Sequence, residues 1–208
     1  GPYVPTAKHG YVLQATTEAI ARKLGNALIA PLILMEPGQP DNPRYPGTMP
    51  VRMETYKAVL TDVATSLKQH GFENIVMIGD SGGNQRGLQE VTEELSAQWD
   101  RETTRIHFVR EYYDSWQLVD GAVESVTGKA EVSEGIHDDY SVNSIIMTVD
   151  PEKVRYQQRV AANKATINGI SIEPKEKTIA NGRKLVEIRA NTSVETIRRM
   201  IERSSSNQ

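Results

Sequence analysis

Apolar residues return every three to four positions in several stretches of this chain, and near-continuous apolar runs separate those stretches. In TTEAIARKLGN (16–26), Ile20, Ala21 and Leu24 share one helical face, and Gly25-Asn26 supplies a stop. ALIAPLILM (27–35) is apolar almost throughout and predicts a buried strand. The next segment, EPGQPDNPRYPGTMP (36–50), holds five prolines and two glycines, too many for a regular element. A loop this long in a compact domain is usually functional or mobile.

Helical spacing resumes over 53–70 through Tyr56, Val59, Leu60, Val63 and Leu67, and ends at Gly71. A short buried strand is expected over 74–78. A third helix carries Leu88, Val91, Leu95 and Trp99, and IHFVR (106–110) reads as another strand. The alternation of helix and strand predicts an α/β fold of the three-layer α/β/α kind, a mostly parallel sheet with helices on both faces. In such sheets ligands sit at the carboxyl ends of the strands.

The second half is less regular. YYDSWQLVDGAV is ambiguous, and EGIHDDYSVNSIIMTVDP runs from a polar cluster into an apolar helix or strand that stops at Asp150-Pro151. Residues 180–203 form a long charged helix by pattern. A single domain over 1–203 is expected, with 204–208 as a disordered tail. No internal repeat is present.

Composition narrows the function classes. The chain has 208 residues, 25% of them charged and 38% apolar, as in an ordinary globular domain. A net charge of −3 and the lack of a basic stripe argue against nucleic acid as a partner. No run approaches the roughly 18 apolar residues of a membrane helix, so no membrane partner is expected. The absence of cysteine removes disulfides, thiolate metal sites and cysteine nucleophiles together. The first residues show neither a signal-peptide pattern nor an initiator methionine. The expectation is a soluble protein with a trimmed start, in the cytoplasm or exported with its signal removed.

The stretch IVMIGDSGGNQRG (75–87) concentrates the candidate chemistry. A strand breaks into Gly79, Asp80, Ser81, Gly82, Gly83 and Asn84 before a helix begins, and glycines there allow close backbone approach to a ligand. Three readings stand open. Asp80 or Ser81 caps the helix. Alternatively, Asp80 takes part in chemistry. Thirdly, Ser81 is a nucleophile, since GDS after a strand resembles the first block of the GDSL-type esterases, and His137 with Asp138 or Asp139 offers a base and its partner. No lysine follows to make a phosphate-binding loop. Among four histidines, His70 ends a helix and His107 lies inside a strand, which leaves His9, just before the first helix, and His137. With Asp80 they form an imidazole–carboxylate set suited to zinc or manganese.

The blocks GPYVPTAKH, TTEAIARKLGNALIAPLI, RYPGTMPV, LKQHGFENIVMIGDSGGN and GIHDDYSVNSIIMTVDPEKV resemble, in order and spacing, those of the creatininase family of creatinine amidohydrolase-like proteins. The resemblance implies an α/β/α fold, hydrolysis of amide-type C–N bonds in a small-molecule substrate, a Zn or Mn ion that activates water, and assembly as a homo-oligomer, often a hexamer. By the same resemblance the family's first two ligands, a Glu and a His, fall before Gly1. His9 stands where members have a metal-bridging Asp, Ser81 where they have a ligand His, and Gly83 where some have a ligand Glu. His137 matches the family's late His, followed here by Asp138 and Asp139.

An imidazole cannot bridge two ions as a carboxylate does. A mononuclear or rearranged site is therefore expected, with His9 and Asp80 as ligands. His137 would act as acid or base, oriented by Asp138 or Asp139. Gly82, Gly83 and Asn84 would shape the pocket and donate to an oxyanion, and Tyr45 would line it. Two alternatives remain: a serine hydrolase that uses Ser81, and a non-catalytic binding or assembly protein on the same scaffold.

Overall fold

A computed structural model of the chain describes residues 4–42, 48–135 and 138–206. In chain order the elements are α1 (Lys8–Leu24), β1 (Glu36–Pro37), β2 (Pro50–Val51), α2 (Met53–Gln69), β3 (Asn74–Met77), α3 (Gly82–Gln98), β4 (Arg105–Phe108), α4 (Arg110–Asp114), α5 (Trp116–Thr127), α6 (Tyr140–Val149), a 3₁₀ turn (Pro151–Val154), α7 (Tyr156–Ala161), β5 (Thr166–Ile167), β6 (Ile170–Ser171) and α8 (Lys175–Ser206). Helices dominate this mixed fold. Among the described residues the strands form three two-stranded sheets: β1 and β2 pair in parallel, β3 and β4 in parallel, and β5 and β6 antiparallel.

Two compact units divide the chain. The first takes Gly1–Leu32 and Asp114–Thr192, and the second takes Ile33–Tyr113 and Ser193–Gln208. Each has its own core. In the first, Val12 of α1, Ile145 and Ile146 of α6 and Leu185 of α8 are fully buried together with Val119 and Val123 of α5. In the second, Tyr56 and Leu60 of α2 pack with Ile75 of β3, Leu88, Val91 and Leu95 of α3, and Ile106 of β4. Each such side chain contributes roughly 1.5–3 kcal/mol by leaving water. The helical spacing of 56, 60 and 64 and of 88, 91 and 95 is what turns one stripe of α2 and α3 toward β3 and β4.

Several expectations are corrected. Residues 27–35 form no strand: Leu28 is 81% exposed and Leu34 63%. Pro31 in the middle of the run has no N–H to give to a ladder, which disfavours pairing there. The first helix starts at Lys8, so His9 lies inside α1 rather than before it. YYDSWQLVDGAV folds into α4 and α5, and the apolar run before Asp150 is the helix α6. The terminal helix continues through Ser206, three residues past the end expected at Arg203. Among the described residues no helix is long and apolar enough to cross a membrane.

Candidate active site

The second unit places the GDSGGN turn between β3 and α3, at the carboxyl end of a parallel strand pair, as the alternation of elements predicts. Gly79 has no room for a side chain. A Cβ there would lie 2.5 Å from Asn84 Oδ1 and 2.6 Å from Leu88 Cδ1. Gln85, 4% exposed, holds the turn from below, since its Nε2 donates to Gly79 O at 2.9 Å, Ser81 O at 2.8 Å and Asn84 Oδ1 at 2.9 Å. The turn is thereby fixed before any ligand arrives.

Asp80 is 1% exposed, so its carboxylate faces the protein interior. Ser81 occupies the N-cap of α3 with extended backbone, φ −118° and ψ 143°, yet its hydroxyl does not cap the helix. Instead Ser81 Oγ donates a short hydrogen bond to Glu36 Oε1. Of the three readings of this turn, capping by Ser81 is therefore not the one the geometry adopts. Glu36 is held in place through β1, which pairs with β2 in the register Glu36 to Pro50.

Gly82 and Gly83 are exposed, and both are bare for a reason. A Cβ on Gly82 would meet the Tyr113 hydroxyl at 2.9 Å, and one on Gly83 would meet Glu36 Oε1 at 2.6 Å. Tyr113 and Glu36 thus flank a floor of backbone at the start of α3. Arg110 stacks on the Tyr113 ring at 5.5 Å from its centroid. Burial, and next the nearby Glu36 carboxylate, push the Tyr56 phenol above the ordinary tyrosine range.

The other expected residues belong to the first unit or lie outside the description. His9 is partly exposed on α1. Asp138 is 3% exposed and accepts from Arg159 Nη2 at 2.5 Å and from Asn143 Nδ2 at 2.5 Å, with Arg159 itself 1% exposed. Its carboxylate is engaged in a buried ion pair and does not face solvent. Asp139 precedes α6 and accepts from Asn168 Nδ2 at 3.2 Å. Burial raises the pKa of Glu131, and Asp139 adds to the rise, against hydrogen bonds from the Tyr140 backbone and Asn168. His137 and Tyr45 lie outside the described residues.

The sequence reading missed Glu36 as a member of the site. Glu36 is 45 residues from Ser81 in the chain, and nothing local pairs them.

Among the described residues no group of three or more His, Asp or Glu side chains converges to hold an ion. A catalytic metal centre uses about three protein ligands. Glu36 and Asp80 with a hydroxyl that already donates to Glu36 do not compose one, so the described residues do not fit the family's metal centre.

Comparison with known proteins agrees with the sequence blocks. No curated protein matches the chain. A crystal structure of a Bacteroides fragilis protein provisionally assigned as a creatinine amidohydrolase resembles it in fold, with a TM-score of 0.57 at 18% identity over 92% of this chain and 80% of that one. The model of the creatininase family, described as creatinine amidohydrolase, matches residues 1–197. The chain belongs to the creatininase family.

Proposed function

We propose that this protein hydrolyses an amide-type C–N bond in a small or cyclic molecule. One observation carries the reading. The family match spans the strand–turn–helix of the second unit, and that turn presents a hydroxyl, a carboxylate and the first amides of a long helix on an exposed floor. An amide carbonyl needs a group that delivers the attack on carbon, a group that moves a proton and donors for the developing oxyanion, and the polar groups around this turn are the candidates for those roles in this reading.

The family's metal dependence enters this reading only through His9 and Asp80, the ligands expected from the resemblance. His9 belongs to the first unit and Asp80 to the second. The chain's own residues bind and orient: Gly82 and Gly83 admit a compact substrate because they carry no side chain, while Tyr113 and Glu36 border it.

The test is a panel of lactams, cyclic ureides and short linear amides, followed by NMR for ring opening or amine release. Turnover of at least one compact amide is the expected result. A panel with no turnover, under conditions in which the protein is folded, overturns the proposal.

A further inference from the structure

We propose that Tyr113 is a specificity-determining residue of this site, its phenol limiting how wide a group the turn accepts beside Gly82; this rests on the amide-hydrolase reading above. Two strand ends bring the residues together. The Val109 N–H, just past β4, donates to the carbonyl of Met77, the last residue of β3, at 3.0 Å. From there β3 leads into the glycine turn, and β4 leads into α4, which carries Tyr113. Tyr112 is fully buried and fixes α4 in place, while Tyr113 is only partly buried and reaches the turn. A Cβ on Gly82 would lie 2.9 Å from Tyr113 Oη and 3.6 Å from Cζ. The hydroxyl is therefore the part of the wall nearest the turn, and it takes up space that a side chain at 82 would need. Arg110, one turn earlier on α4, keeps its guanidinium 5.5 Å from the ring centroid, a contact that resists swinging of the ring away from Gly82.

A wall of this kind selects by size. Gly82 and Gly83 are exposed, so a compact amide can approach the backbone of the turn, whereas a substituent on the Gly82 side meets the phenol first. A single methylene against such a wall changes relative rates by roughly 10–200-fold. Substitutions should act on this space in a graded order. Tyr113→Phe removes the atom nearest Gly82, and Tyr113→Ala removes the whole ring. Gly82→Ala sets a carbon against the hydroxyl and narrows the same space.

The experiment takes a small lactam and its homologues with methyl and larger groups beside the amide. Binding is measured by ligand-observed NMR titration, and kcat/KM by NMR, for the wild type and the three variants. The ratio of substituted to unsubstituted lactam should rise from wild type through Tyr113→Phe to Tyr113→Ala, by about tenfold or more in the last, and fall in Gly82→Ala. A merely structural role would weaken all the lactams alike and leave that ratio unmoved. Tyr113→Phe and Gly82→Ala keep the test decisive if Tyr113→Ala does not fold. Equal ratios in the wild type and every folded variant overturn the assignment, as does failure of the whole series to bind. Turnover with an unchanged ratio removes the wall and leaves the amide-hydrolase reading standing. A binding ratio that shifts as expected, without turnover of any lactam, supports the wall and removes that reading.

Discussion

Asp138 and Ser81 show how two polar residues that look alike in sequence acquire different work. Both sit beside glycine-rich or acidic segments just ahead of a helix. Asp138 is buried against Arg159, and a buried guanidinium without its carboxylate is costly. Asp138→Ala should therefore destabilise the fold by roughly 3–5 kcal/mol. Urea unfolding of the variant checks this, and a loss near zero would contradict it. Ser81 is half-exposed and bonded to one carboxylate, so Ser81→Ala should leave the urea midpoint almost unchanged.

At the scale of elements, close approach and buried titration set the sensitive points. Gly182 of α8 lies against the backbone of Ser144 in α6, where a Cβ would overlap the carbonyl. Gly182→Ala should cost about 1–3 kcal/mol through that overlap, in spite of alanine's better helix propensity. A thermal melt at or above the wild-type midpoint would contradict it. In β4, burial and then the Arg105 charge hold His107 below its ordinary value near 6.5, and its Nε2 donates to Asn74 Oδ1 of β3 at 2.9 Å. The unfolded chain binds this proton more readily than the folded one. Stability from this group is thus full above the ordinary value and is lost as pH falls from it toward the folded pKa. Unfolding at two pH values on either side should show a larger acid loss in the wild type than in His107→Gln; equal losses would contradict it.

The helices of this chain were legible because their apolar spacing is carried within a few turns: Tyr56 and Leu60, then Leu88, Val91 and Leu95, point to one face without any knowledge of their partners. The run 27–35 misled because apolar content alone does not say whether a neighbour strand is there to pair with it, and Pro31 weakens that pairing. The start of α1 was misplaced because Ala7 makes no side-chain cap to mark it. The same division holds for the site. The turn 79–84 was readable from its glycines, whereas Glu36 reaches it through tertiary folding, which one sequence does not display.

For the whole molecule, membership of the creatininase family and the glycine turn of the second unit together support hydrolysis of a compact amide as the proposed activity. The most direct measurement is turnover of a panel of compact amides by the wild type, followed by NMR. Ring opening or amine release from at least one of them is the predicted result, and no turnover of any by the folded protein would contradict the proposal.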